Sequence, residues 1–383
     1  MIIPLHPQPI TGEILSSWMV RLAFANRYPL HTFYNKVLGY HGTIWNQDVD
    51  RHPDDSLIHL LSEYTGQPIT ELRSMTLESY TGSLFEHIPH VGNSPWLTPL
   101  GLFHRTRKRP GMQFCPECLK GSRIPSYRRC WRLSIYTICD LHHCVLVDSC
   151  PLCHEPIAYH RHGIGRHKVV PEVESLFYCH LCGFDLRNTK QASLNWFDNN
   201  SLQELLLTTR YFEQGYWSCG ELTPPCSILF FQGIKTLLTA IRGRYGSRLR
   251  EILYDTCGVE VVAADGSVHT EWEELSTTDR SNLLLVTFWV LGNWPDRFIQ
   301  LCKDAKFTRS RLAERVNELP YWLARVAEGS LDNRIYIPND DEVISAGYYL
   351  QTRNIKVSAT SLRNILGLCP STALKVWSLR KDA

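Results

Sequence analysis

The sequence predicts a mainly α-helical fold whose middle is organised by clustered cysteines. Three observations predict it. Apolar residues recur at helical spacing over most of the chain; two stretches read as helix, glycine-containing turn and helix; and four Cys-x-x-Cys or Cys-x-x-His pairs fall within residues 115–182. At 383 residues the chain is long enough for two or three domains. With 44% hydrophobic and 20% charged residues it is globular.

The elements follow in order. In GEILSSWMVRLAFANRY the apolar positions Ile14, Trp18, Leu22 and Ala25 recur at helical spacing. PLHTFYNKVLG starts a second helix near Pro29, with Leu30, Phe33, Tyr34 and Val37 on one face. In DDSLIHLLSEYTGQPITELRSM a helix carrying Leu57, Leu60, Leu61 and Tyr64 meets a Thr65-Gly66-Gln67 turn, and Pro68 opens a helix with Ile69 and Leu72. A similar unit ends the chain. Leu362, Ile365 and Leu366 form one face, Gly367-Leu368-Cys369 is the turn, and Pro370 starts a helix bearing Leu374 and Trp377. Such units are either plain helical corners or DNA readers whose second helix enters the major groove. Between them, CSILFFQGIKTLLTAIRG, SNLLLVTFWVLGNWPDRFIQLC and RSRLAERVNELPYWLARVAEG read as helices, with joints at 220–225, 264–267 and 329–333.

The cysteine spacing carries the chemistry. Cys115-x-x-Cys118, Cys139-x-x-His142, Cys150-x-x-Cys153 and Cys179-x-x-Cys182 are four knuckles. A two-residue gap lets both side chains of a tight turn reach one ion, and two such turns make a closed tetrahedral site. Thiolates with a neutral imidazole suit zinc rather than magnesium or calcium. A lone Cys-x-x-Cys reads equally as a redox pair, but a thioredoxin-like fold needs an alternating βαβ pattern that the flanks lack. Eight ligands are enough for two zinc ions. Sequential pairing gives two zinc ribbons and interleaved pairing a cross-brace. The seven residues between His142 and Cys150 favour the first. His143 and Cys144 stand beside the second knuckle as rival donors. Closed four-ligand sites leave no place for water, so the expected zincs are structural. The expected fold is thus mainly α, with helix-turn-helix units flanking two zinc-ribbon modules with small β-hairpins. Its expected domains are 1–110, 111–190 and 191–383.

The formal net charge is only +2, which excludes a uniformly basic nucleic-acid coat but not a local patch. Between Gly101 and Arg132 stand Arg105, Arg107, Lys108, Arg109, Lys120, Arg123, Arg128, Arg129 and Arg132 against Glu117 alone. Such a run is a solvated face, partly offset by the thiolates, or a contact for phosphate or an acidic partner. The expected contact residues are Arg105, Arg107, Lys108, Arg109, Arg128 and Arg129, with Lys375 in the last helix. RHGIGRHK at 161–168 adds a smaller basic loop. The longest apolar run, 283–291, is too short to span a membrane, which takes about 20 residues, and reads as a buried helix. MIIPLHPQP shows no cationic leader, so a cytoplasmic protein is expected. No GxxxxGK[ST], HExxH or GxSxG motif occurs, so no enzyme is expected.

The order of motifs carries a resemblance. The stretch E-x-L-x-S-W-x-x-R-L-A from Glu13 to Ala23 precedes the unit at 55–76, then FCPECL, YRRCWRLSIYTICDLHH and LVDSCPLC. This order resembles the TniQ/TnsD family of target selectors from bacterial transposons, and LGNWPDRF at 291–298 is similar to a central motif of that family. The resemblance covers residues 1 to about 190 closely and the rest loosely. Cys130 before Trp131 departs from it. It implies a non-enzymatic protein standing between a target and an AAA+ ATPase of the TnsC kind. Long members read an attachment site on DNA. Short members, of about this length, often form homodimers and join an RNA-guided Cascade effector. Bacterial cytoplasm, with nucleoid association when engaged, is the implied location.

Overall fold

In the computed structural model all residues are described except 1, 43, 45–47, 91, 101–110, 164–170, 192, 193, 195, 211–226, 265–270, 315, 317, 333–335, 382 and 383. The chain divides into two compact units, Met1–Ala327 and Glu328–Ala383.

The first unit opens with α1 (Leu15–Ala25). The spacing predicts one apolar face, but the helix is buried nearly all round, with Trp18, Met19, Val20, Leu22 and Ala23 fully inside. An all-round apolar helix has to be enclosed, and the Trp18 indole donates to the carbonyl of Pro7 at 2.7 Å. Polar residues at Glu13, Ser17 and Arg21 recur four apart and lock together within this core. Arg21 Nε donates to Glu13 Oε1 at 2.8 Å, Arg21 Nη2 to Glu13 Oε2 at 2.5 Å, and Ser17 Oγ to Glu13 Oε1 at 2.8 Å. Both charged side chains are at most 2% exposed. Removing one partner strands a buried charge, so Arg21→Ala is expected to cost about 3–5 kcal/mol. Urea unfolding checks this, and replacing Glu13 and Arg21 together by apolar residues should cost less than Arg21→Ala alone.

α2 (Leu30–Thr32) runs into a π-turn over Phe33–Val37. Leu30, Phe33 and Tyr34 are core, whereas Val37, expected on the same face, is exposed. α3 (Asp55–Thr65) is capped by Asp54, whose side chain accepts from Ser56 N at 2.9 Å. Gly66 closes it with φ of +75°, a left-handed conformation that glycine adopts without strain. α4 (Ile69–Ser74) follows as a helix of only six residues. Leu57, Ile58, Leu61 and Leu72 hold this corner to the core.

The cysteine-rich middle holds α5 (Pro116–Gly121) and isolated antiparallel bridges, with no longer strand among the described residues. Beyond it come α6 (Asn199–Arg210), α7 (Ser227–Arg242), α8 (Ser247–Cys257), α9 (Thr277–Leu291), α10 (Asp296–Asp304), α11 (Arg309–Leu312) and α12 (Tyr321–Leu331). The joint at 220–225 lies outside the described residues, as does 265–267. The joint expected at 329–333 begins later, because α12 continues through Leu331. The apolar run 283–291 lies in α9, where Leu283 to Phe288 are buried. No described helix is long and apolar enough to cross a membrane. α7 crosses close to α12: a Cβ on Gly233 would lie 2.0 Å from the ring of Trp322. In LGNWPDRF, Trp294 stacks on Phe298 with centroids 5.1 Å apart, and the Arg297 guanidinium sits 4.4 Å from the Trp289 ring centroid.

The second unit contains α13 (Asp340–Thr352), α14 (Ala359–Leu366) and α15 (Pro370–Lys381). Ala346, Leu350 and Leu362 form its core, with Val357, Leu366, Val376 and Trp377 packed against it. Gly367, at φ of +61°, turns α14 into α15 as the sequence suggests. Of the predicted face Leu362, Ile365 and Leu366, one position differs. Ile365 is exposed, as is Leu374 on α15, while Leu368 and Ala373 take the inner places. Two short helices crossing at a tight turn share a narrow contact, so the inner face follows the crossing geometry more than the nominal stripe.

Candidate metal centres and the basic residues around them

The four knuckles are built from local backbone geometry. Cys115 sits at the N-cap of α5, and its sulfur accepts from Cys118 N at 3.4 Å. The other three each sit in a hairpin of one kind. Cys139 N donates to Cys144 O at 2.8 Å and His143 N to Cys139 O at 2.9 Å. Cys150 N donates to Glu155 O at 2.9 Å and His154 N to Cys150 O at 2.8 Å. Cys179 N donates to Phe184 O at 2.8 Å and Gly183 N to Cys179 O at 3.0 Å. In each, the residue after the second donor is left-handed: His143, His154 and Gly183. The bridges Ile138 to Val145, Ser149 to Pro156 and Tyr178 to Asp185 close these hairpins.

The fold gathers the first knuckle with the second and the third with the fourth. Cys115, Cys118, Cys139 and His142 form one group, and Cys150, Cys153, Cys179 and Cys182 the other, with all donor atoms of a group within 4.8 Å of one another. In the first, Cys118 Sγ lies 3.6 Å from Cys139 Sγ, and His142 Nδ1 lies 3.5, 3.3 and 3.5 Å from the sulfurs of Cys115, Cys118 and Cys139. In the second, Cys150 to Cys182 and Cys153 to Cys179 are both 3.6 Å. Disulfides would need about 2.05 Å. A tetrahedral zinc with metal–sulfur bonds near 2.3 Å has sulfur–sulfur edges of about 3.8 Å and sulfur–nitrogen edges of about 3.6 Å. The donors therefore stand at ligand spacing around two places that fit a four-coordinate ion. Electrostatics agree. Hydrogen bonds from Cys115 and Cys118 hold the Cys139 thiol well below its ordinary range, while Cys115 and Cys139 push Cys118 up. Crowded thiolates repel one another, and a bound cation would let all three ionise.

Three of the surrounding arginines turn inward, while Arg123 is exposed. Arg128 is half-buried. Burial works against its charge, but Cys118, Cys130 and Cys139 nearby hold its pKa raised. Arg129 donates to the Ser74 carbonyl, and its guanidinium lies 4.9 Å from the Tyr80 ring centroid. Arg132, 1% exposed, donates to Asp48 Oδ2 at 2.6 Å and approaches Asp50 Oδ2 at 3.4 Å. Lys120 lies 3.9 Å from Glu117. Arg105, Arg107, Lys108 and Arg109 lie outside the described residues, as does most of the 161–168 loop. Lys375 is exposed on α15.

Sequence reasoning passed over the groups that anchor this region. Gln113 Nε2 donates to the carbonyls of Trp131 and Leu133, each at 3.1 Å, and its Oε1 accepts from the buried Arg280 at 2.9 Å. Thr277 Oγ1 donates to Asp148 Oδ2 at 2.9 Å. The start of α9 is thereby tied to the first centre's framework. A polar Thr277 and Arg280 heading a long apolar helix were the available signal.

Helices joined through two clusters of four donors define a mainly helical protein with two candidate metal centres, and Arg128, Arg129 and Arg132 beside the first of them are engaged within the fold. Residues 4–146 match the model of the TniQ family. This stretch, a TniQ domain, spans the Glu13–Arg21 cluster, the first helix-turn-helix and all four donors of the first centre. No curated protein matches the chain.

Proposed function

We propose that the chain is a target-selection adaptor in DNA transposition. It links a targeting complex, an RNA-guided Cascade effector, to an AAA+ regulator of the TnsC kind, and it works as a homodimer. Two structural zinc ions held by the eight knuckle residues keep the middle segment, 111–190, in shape between helical parts at 1–110 and 191–383. The TniQ domain carries the reading. What favours protein docking over DNA reading by this domain is where several of its described cations go. Arg73 pairs with Asp55 and Glu78, Arg128 faces the thiolates, and Arg132 serves Asp48 and Asp50. Phosphate binding draws on cations that are free to replace counterions. Trp18 is fully buried, so it takes no part in the proposed contact with a second copy.

A second reading, direct DNA recognition, has one specific observation in its favour. From Arg353 to Lys381 the chain holds Arg353, Lys356, Arg363, Lys375, Arg380 and Lys381 and no acidic residue. Leu374 and Lys375 stand exposed on the second helix of that helix-turn-helix, where a leucine suits a thymine methyl.

A gel shift with the purified chain across a target library decides between them. The adaptor should bind duplex weakly and without preference, and co-purify with an RNA-containing effector and an ATPase. Charge reversal at Arg105, Arg107 and Arg109 should abolish transposition and leave metal content unchanged. Selective nanomolar binding, at least ~10³-fold over random DNA, sinks the adaptor reading.

A further inference from the structure

The first centre holds five donors where four suffice. The three hairpin knuckles are alike in backbone, and in each the residue five after the leading cysteine pairs back onto it: Cys144 on Cys139, Glu155 on Cys150, Phe184 on Cys179. At the second centre these positions carry a carboxylate and a phenyl ring. At the first the position is a thiol, 4% exposed, with its sulfur 3.6 Å from Cys115 Sγ. That is the Cys118 to Cys139 separation, the spacing of two ligands on one ion. Cys144 stands outside the four donors that lie mutually within 4.8 Å, so it is beside the tetrahedron and not in it. The fourth place is taken by His142, whose side chain is exposed while its three partners are buried. One vertex of the site is therefore open to solvent and has a buried thiol next to it.

We propose that Cys144 is a reserve ligand of the first centre, which takes the metal when His142 leaves it. The exchange breaks one metal–imidazole bond and forms one metal–thiolate bond. The thiol proton passes to the freed imidazole or to water, and no electron moves. A Cys₄ zinc carries one more negative charge than a Cys₃His zinc. Arg128, half-buried beside Cys118 and Cys139, is placed to offset it. The hairpin does not have to open, because Cys144 is already held by its own carbonyl on Cys139 N, and a side-chain rotation changes its distance to the ion.

This inference rests on the chain binding zinc at all, and the experiment separates the two. Wild type, His142→Ala, Cys144→Ser and the double variant are purified, their zinc is counted, and each is reloaded with cobalt(II) for its absorption spectrum. Wild type with two metals and a three-sulfur, one-nitrogen cobalt spectrum at the first site supports the starting point; wild type without zinc ends the metal reading itself. His142→Ala is expected to keep both metals and to show stronger sulfur-to-cobalt charge transfer, the mark of four thiolates. Cys144→Ser should match wild type, and the double variant should lose one metal of two. The proposal is overturned if His142→Ala loses a metal, fails to fold, or gives a three-sulfur, one-oxygen spectrum in which water has filled the gap.

Discussion

Cys115→Ser and Cys179→Ser are each expected to give insoluble protein, and the soluble wild type to carry two zinc ions per chain. The expectation follows from what else holds the ribbons. Around the two centres the backbone makes isolated bridges, with no extended ladder among the described residues. The donors themselves are largely interior: Cys115, Cys139 and Cys150 are fully buried. Ordering such short hairpins costs roughly 1–2 kcal/mol per residue in backbone entropy, which a few bridges do not offset. Structural zinc supplies apparent free energies of about 10–16 kcal/mol in small finger peptides, comparable to the whole stability of a typical domain at about 5–15 kcal/mol. Removing one thiolate leaves three donors around a weakened ion: Cys118, Cys139 and His142 at the first centre, or Cys150, Cys153 and Cys182 at the second. The first ribbon is also the seat of Gln113 and Asp148, through which α9 is tied down. Its collapse should therefore propagate into the helical part of the first unit. Elemental analysis and soluble yield decide this. Less than one zinc per chain in soluble, active protein would falsify it.

Arg132→Met is expected to destabilise the first unit by about 3–5 kcal/mol, because it strands two carboxylates. Asp50 is 2% exposed and Arg132 1%. Asp50 also accepts from Ser16 N at 2.8 Å and Ser16 Oγ at 2.7 Å, and Ser16 Oγ meets Tyr159 OH at 2.5 Å. Burial, with Asp48 adding to it, outweighs Arg132 and Ser16 and raises the Asp50 pKa from 3.8 to about 6. The folded protein then holds this proton more tightly than the unfolded chain. The stability it confers is full below about pH 4 and is lost as pH rises towards about 6, after which it is flat. The span amounts to on the order of 3 kcal/mol. His160 works in the opposite direction. Burial lowers its pKa from 6.5 to about 3, so its contribution is present above 6.5 and lost on acidification. The two overlap, so the decisive quantity is the difference between wild type and Asp50→Asn. Urea-unfolding free energies should show that difference declining from pH 4 to pH 6. A flat difference curve would show that Asp50 is already ionised in the fold.

Much of the candidate site was legible in the chain because its geometry is local. Two intervening residues force both donors of a knuckle to one side of a turn whatever the rest of the protein does. Gly66 and Gly367 mark the helix corners for the same reason, since both sit in a left-handed turn. The failures are local in another sense. Ile365 was expected on one face with Leu362 and Leu366, and it faces outward because a short corner packs by crossing angle.

By itself, the sequence determined which side chains could meet an ion, where the helices run and where they turn, since these depend on neighbours a few residues apart. Tertiary structure alone decided that α1 is enclosed on every side, that Arg128, Arg129 and Arg132 look inward, and that Cys144 stands at ligand distance from Cys115. Ser16 and Asp50 lie 34 positions apart, and Arg132 and Asp50 lie 82 apart. A charge is drawn to such a distant partner only once burial has removed the water that would otherwise satisfy it, and burial is a property of the packed chain.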